Sequence, residues 1–195
     1  MCIGTAVFDF DQTLIRQESL AMFLQTMAGG RYVSAYCAAG VKAVMTASSG
    51  ERLNVFRTEM FRRTLAGKPV AQAQEAARRV FARLDWIGAT MEALARHKDR
   101  GRCILVATGS LSVYMPALLE LKGIRVDGLL ATEIGIEGSV FTGEMATASC
   151  TGTEKARRVR EWLAGIDDGP VWGYGNLPHD RAMLALTDYP TVVPG

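Results

Sequence analysis

The stretch TAVFDFDQTL, residues 5–14, ends an apolar run in two carboxylates and a hydroxyl set at alternate positions. Thr5, Ala6, Val7 and Phe8 predict a buried strand. Asp9 and Asp11 share one side of an extended chain, while Phe10 faces away into a core. Like charges so placed repel unless a cation lies between them. The nearby donors are oxygens and amides, without sulfur or clustered histidine. They suit a hard ion such as Mg²⁺, which takes one or two carboxylates and keeps places for water and phosphate oxygens. A pair of aspartates capping a turn or the next helix is the alternative. An EF-hand loop is excluded, because Leu14 stands where the sharp-turn glycine belongs and Leu20 where the bidentate glutamate belongs.

Beyond this strand the periodicity changes twice. Residues 19 to about 100 predict helices, punctuated by Gly29-Gly30, by Ser48-Ser49-Gly50, and by Gly67 with Pro69. Leu53, Phe56, Met60 and Phe61 make one apolar helical face; Val70, Ala73, Ala77, Val80, Phe81 and Leu84 make another. Four short helices in succession predict a small bundle. The remainder alternates: strands CILVAT (103–108), GLLATE (128–133) and PVWGYG (170–175) are separated by amphipathic helical stretches. SVFTG reads as a hairpin arm, and TVV as a last strand. Such alternation predicts an α/β fold, a mostly parallel sheet covered on both faces, with the helical block inserted after its first strand. Ligands in such folds bind beyond the carboxyl ends of the strands. Phe10–Thr13, Thr108–Ser110 and Gly175–Asp180 therefore fall at one edge.

Composition narrows the function classes. A chain of 195 residues with 49% hydrophobic and 22% charged residues is an ordinary globular one. A net charge of +2 gives no electrostatic case for nucleic acid. Asp9 and Asp11 interrupt any apolar signal core, so no secretory leader is expected in this segment. Cys2, Cys37, Cys103 and Cys150 lie far apart. That spacing argues against a zinc cluster or a redox dithiol and suits a reducing, cytoplasmic setting, with pairing among the four as the alternative. The stretch YVSAYCAAGVKAVMTA (32–47) is too short to be a transmembrane span and holds Lys42. It reads as a buried helix, with an interfacial helix making peripheral membrane contact as the alternative. His97, in ARHKDRG, reads as a solvated helix-end residue.

Three more segments bear on chemistry. ATGS offers Thr108 and the amides of Gly109 and Ser110 to an anion at a helix start. Lys155 lies near the start of a helix in CTGTEKARR, and GYGNLPHD offers Asn176 and Asp180 as oxygen donors at a strand end.

Taken in chain order, DFDQTL, ATGS, Lys155 and GYGNLPHDRAML resemble the four motifs of the haloacid dehalogenase (HAD) superfamily. The helical insert resembles that of its phosphoserine-phosphatase-like branch. The resemblance implies a Rossmann-like catalytic core, residues 1–15 and 101–195, and a helical cap, residues 16–100. It also implies a Mg²⁺-dependent phosphomonoesterase acting through an aspartyl-phosphate. Asp9 would be the nucleophile, Asp11 the acid and base, and Asp9, Asp11 (through its carbonyl) and Asn176 the metal ligands. Thr108, Gly109 and Lys155 would hold phosphate oxygens, and Asp180 would support the metal shell. Presence of Asp11 favours a phosphatase over a dehalogenase, since halide departure needs no general acid.

The pattern departs from the family at Asn176, where Asp is usual, and at Leu177. An amide oxygen brings no full charge, so weaker metal binding is expected than Asp would give. Glu18 sits where the ammonium-binding Glu of phosphoserine phosphatase would fall, and His179 where an Asn is usual. Arg57, Arg62 and Arg63 are the candidates for binding a substrate carboxylate. In TGS, CTGTEK and VVPG the chain is similar to phosphatidylglycerophosphate phosphatase C, which implies a lipid phosphate instead of a small phosphorylated metabolite. A phosphotransferase of the same fold, or a non-catalytic phospholigand-binding regulator, would carry the same motifs.

Overall fold

Thr5–Phe8 forms β1, and its alternation separates two cores: Ala6 and Phe8 join one hydrophobic cluster, Val7 the other. The computed structural model describes residues 2–48, 51–166 and 169–194. After β1 come α1 (Ser19–Ala28), a 3-10 turn (Gly29–Arg31), α2 (Tyr32–Thr46), α3 (Arg52–Thr64), α4 (Gln72–Phe81) and α5 (Gly88–Asp99). Then follow β2 (Cys103–Leu111), α6 (Met115–Lys122), β3 (Gly128–Thr132), β4 (Ile134–Glu137) and β5 (Val140–Met145). The chain closes with α7 (Gly152–Leu163), β6 (Val171–Gly175), α8 (Arg181–Leu184) and β7 (Tyr189–Val192). Of the punctuating Ser48-Ser49-Gly50, the last two lie outside the described residues, as does the final glycine of VVPG.

Five strands make one parallel sheet in the order β3-β2-β1-β6-β7, and β4 and β5 form a separate antiparallel pair. The α/β expectation holds. Central β1 pairs Thr5 with Cys103 and Val171, and Phe8 with Val106 and Tyr174. That register delivers Asp9, Thr108 and Asn176 to the same carboxyl edge. Helices α1 and α4 pack together, α2 packs on α3, and α3 also meets β5; α5 lies instead against β2.

Four expectations need correction. First, ATGS is not a helix start: β2 runs on to Leu111, and α6 begins at Met115. Pairing with β3 shifts register between Ala107 and Leu111. A bulge of this kind bends a strand without ending it, and Gly109 and Ser110 within it line the pocket at the ligand edge.

Second, the 32–47 stretch is helical but not buried. Ala35, Ala39 and Ala43, spaced four apart, let α2 lie close on its neighbours, so its larger side chains point outward. Val33, Tyr36, Val41, Val44 and Met45 are all exposed, and so is Leu53 of α3, which the sequence placed on an inner face. Among the described residues, no helix is long and apolar enough to cross a membrane.

Third, distant cysteines meet. Pairing of β1 with β2 brings Cys2 and Cys103 to a Cα separation of 5.4 Å, joined by a disulfide, while Cys37 and Cys150 are free.

Fourth, His97 is 5% exposed and not solvated. It is packed edge-on against Phe8 and beside Trp172, shares a 2.9 Å hydrogen bond with the Tyr174 hydroxyl, and accepts one of 2.9 Å from Arg102 on Nδ1. Burial, with Arg102, Arg100 and Arg96 nearby, lowers its pKa to about 4. The folded value is below the ordinary one of about 6.5, so the stability from a neutral His97 is complete above that pH. It is lost as pH falls from about 6.5 to about 4. At about 1.4 kcal/mol per unit, the loss is on the order of 3 kcal/mol. Urea unfolding between pH 7.5 and 4.5 should therefore destabilise the wild type more than His97→Gln; parallel losses in the two proteins would contradict this.

Candidate active site

β1 ends at Phe8, and the next residue, Asp9, is 5% exposed with its carboxylate in a pocket of about 210 Å³. Phe10 turns away as expected and packs edge-on against Trp86 in the core. Thr13 donates to Asp9 Oδ2 across 3.2 Å, closing the turn that follows the strand. Gln12 within this turn has a φ of 57°, a left-handed conformation that non-glycine residues adopt at a cost. Its Oε1 accepts a 2.6 Å hydrogen bond from Asn176 Nδ2. The side-chain amide of Asn176 is thereby oriented, with its nitrogen committed to Gln12 and its oxygen the atom left for a cation.

Lys155, on the first turn of α7, reaches into the pocket and is 4% exposed. Its ammonium donates to Asp9 Oδ1 and to Asp180 Oδ1, both at 2.6 Å. The other Asp180 oxygen accepts from the Asn176 amide at 3.0 Å. Gly175 makes this closure fit: a Cβ there would stand 2.7 Å from Asp180 Oδ2. Burial pushes the Asp9 carboxyl up to about 7, with Lys155 pulling it back and Asp180 pushing it further. Burial by itself would lower the Lys155 ammonium, but Asp9 and Asp180 hold it above its ordinary range. The cluster holds two carboxylates against one ammonium before any ligand arrives.

Asp11 is fixed from the other side. Its Oδ1 accepts from the Ser19 amide and its Oδ2 from the Ser110 hydroxyl, each at 2.6 Å. Burial raises its pKa, and the hydrogen bonds from Ser110 and Ser19 oppose that rise. Asp11 lines the same pocket as Asp9.

The remaining sequence candidates divide. Gly109 lines the pocket, and its carbonyl accepts from Thr132 Oγ1 at 2.9 Å and from Arg57 Nη2. It has no room for a side chain, since a Cβ would lie 2.7 Å from Thr151 Cγ2. Thr108 is completely buried, accepts the Ser110 amide at 3.1 Å, and is not among the residues lining the pocket. Glu18 and His179 are exposed residues that line the pocket. Glu18 precedes α1 without capping it, and burial followed by the neighbouring Asp11 raises its pKa.

Of the three arginines, one enters the site. Arg57 lines the pocket, is 9% exposed, and has a buried Nε with no hydrogen-bond partner. Arg62 is held by Glu144 and Glu59, and Arg63 by Glu59. The sequence reading missed Gln12, Ser19 and Tyr114, whose contacts span 164, 91 and 95 positions. No local pattern signals partners so distant.

A central parallel strand ending in paired carboxylates, with a lysine and an Asn/Asp turn from later elements, defines a class of hydrolase. A family model for haloacid dehalogenase-like hydrolases matches residues 6–185, and the chain belongs to that family. A curated phosphoserine phosphatase of Archaeoglobus fulgidus is 28% identical over 180 residues, covering 91% of this chain and 48% of its own. The chain thus spans about half the length of that relative. Among solved structures, a protein of unknown function from Bordetella pertussis Tohama I superposes with a TM-score of 0.78 at 17% identity. That match covers 98% of this chain and 90% of the other. A phospho-aspartyl intermediate analogue of phosphoserine phosphatase gives a TM-score of 0.63 at 16% identity, covering 98% and 87%. These structural likenesses establish the fold.

Proposed function

We propose that the protein is a Mg²⁺-dependent phosphomonoesterase that works through an aspartyl-phosphate on Asp9, with residues 16–100 acting as a cap over the core. The observation that carries this reading is the pairing of Asp9, bound to Lys155, with Asp11, held by other partners on the same pocket wall. Asp9 attacks phosphorus in line, forming an oxygen–phosphorus bond as the ester bond to the alcohol breaks. Asp11 gives its proton to the departing alkoxide, and burial, by raising its pKa, favours the protonated form this step needs. Asp11 then takes a proton from water as that water attacks phosphorus, which releases phosphate and restores Asp9. Lys155 offsets the charge on Asp9 and on the phosphoryl oxygens.

The donors suit a hard cation: Asp9, the Asp11 carbonyl and the oriented Asn176 oxygen would hold Mg²⁺. When bound, the ion offsets repulsion between anionic nucleophile and anionic phosphate. The cap and the water-excluding burial of Asp9 support the order of events, since water should reach the acyl phosphate after the alcohol has left.

For the substrate, Arg57 and Glu18 support a small phosphomonoester carrying both a carboxylate and an ammonium group. Arg57 offers a buried guanidinium with spare donors, and Glu18 an anion at the rim. The name of the Archaeoglobus relative agrees with this. A second reading, a lipid phosphate, draws on the exposed apolar side chains of α2 and on Leu53 at the pocket wall. Phosphate release from phosphoserine, glycerol phosphate and a micellar lipid phosphate separates them. Phosphoserine should be preferred, and Arg57→Met should cost about 100-fold in kcat/KM on it, with little loss on glycerol phosphate. Equal losses on both, or preference for the lipid, would overturn the small amino-acid ester.

A further inference from the structure

Behind Asp11 lies a line of three buried hydroxyls that the phosphatase mechanism does not use. Ser110 Oγ donates to Asp11 Oδ2 at 2.6 Å, Ser19 Oγ is 3.1 Å from Ser110 Oγ, and Tyr114 OH is 3.0 Å from Ser19 Oγ. All three residues are completely buried. They come from three places: Ser19 opens α1, Ser110 lies on the bulge of β2, and Tyr114 precedes α6.

Counting protons fixes the direction of the line, because each hydroxyl has one to give. With Asp11 Oδ2 accepting, as in the ionised carboxylate, Ser110 gives its proton there, so the Ser19–Ser110 bond is donated by Ser19. Ser19 is then spent, so Tyr114 must donate to Ser19. Every O–H therefore points toward Asp11, and hydrogen bonds aligned head to tail polarise one another. The Tyr114 ring is clamped against Phe23, stacked at 4.2 Å, which gives the line a fixed origin.

The geometry points to Tyr114 as a positioning residue for Asp11, acting through Ser19 and Ser110 without touching substrate. This inference rests on the phosphatase reading above. Tyr114 anchors the Ser19 hydroxyl, which keeps Ser110 donating to Oδ2 and holds the carboxyl plane still. The backbone amide of Ser19 secures Oδ1, so the remaining lone pairs of Asp11 are presented to the pocket. Without the tyrosine hydroxyl, Ser19 and Ser110 can rotate to other acceptors, and Asp11 loses its aim.

A leaving-group comparison tests this, because kcat/KM reports steps up to alcohol release. An alkoxide leaving group needs the proton from Asp11, whereas p-nitrophenolate departs without it. In Tyr114→Phe, kcat/KM should fall about 10-fold on an alkyl phosphate and stay within about twofold on p-nitrophenyl phosphate. Ser110→Ala should show the same selectivity with a larger loss on the alkyl ester, and Ser110→Thr, which restores the hydroxyl, should recover part of it. Equal losses on both substrates, or none on either, in a folded Tyr114→Phe would overturn the positioning role. If the wild type hydrolyses neither ester, the phosphatase reading itself has failed, and with it this inference. Should Tyr114→Phe not fold, the Ser110 pair alone decides by the same comparison.

Discussion

Asp9→Asn is expected to lower phosphatase turnover by at least about 10⁴-fold while leaving the fold as stable as before, or more so. The two effects have one cause. Asp9 is a nearly buried carboxylate that shares Lys155 with Asp180, and burial pushes its pKa up to about 7. Asparagine keeps the shape and an oxygen for Thr13 but removes a buried charge, so Lys155 and Asp180 become a simple pair. An amide cannot attack phosphorus. Activity on an aryl phosphate, measured beside the thermal midpoint, checks both halves. Equal turnover by variant and wild type would exclude the aspartyl route, and equal rates at background would favour a phospholigand-binding role.

Lys155→Met should be the most damaging change to stability in the site. It leaves Asp9 and Asp180 facing a buried pocket with no cation, and breaking a buried pair costs about 3 kcal/mol or more. The pH dependence has a definite sign. In the variant the Asp9 carboxyl, already raised by burial, loses the ammonium that pulls it back and rises further, so its contribution to stability is greatest below its unfolded value of about 3.9. It is lost as pH rises toward the folded value of Asp9, further than in the wild type. The gap from wild type should therefore widen between acid and neutral pH, opposite in direction to the His97 effect. Urea midpoints at pH 5 and pH 7.5 report it, and a gap that narrows with rising pH would contradict the charge account. Turnover should fall about 10³-fold, since both the nucleophile and the phosphoryl oxygens lose their counter-charge.

What could be read from the sequence follows physical range. Alternation in TAVFDFDQTL and the switch between helical and strand periods are local signals, and they located β1, the helical insert and the carboxyl edge. Asp9, Asp11, Lys155, Asn176 and Asp180 come together because parallel pairing and one helix start bring their segments to that edge. ATGS misled because a bulged strand and a helix start share small polar residues; the register shift depends on β3, not on the motif itself. The 32–47 helix misled for a different reason. Its alanines, not its large side chains, form the packed side, and hydrophobicity summed along a window cannot distinguish these. His97 was misjudged because the aromatic side chains around it come from β1 and β6. Arg57 could be nominated from sequence but not chosen over Arg62 and Arg63. The choice is made by Glu59 and Glu144, which occupy the other two.

The central claim is that the side chain of Asp9 carries the phosphoryl group during turnover. An acyl phosphate is reduced by borohydride, so a carboxyl trapped in that form becomes a primary alcohol and an aspartate becomes homoserine. Wild-type protein quenched with borohydride during turnover, then digested and sequenced by mass spectrometry, should carry homoserine at position 9 in a substrate-dependent manner. Substrate-dependent reduction at any other carboxylate, with residue 9 recovered unchanged, would contradict the account.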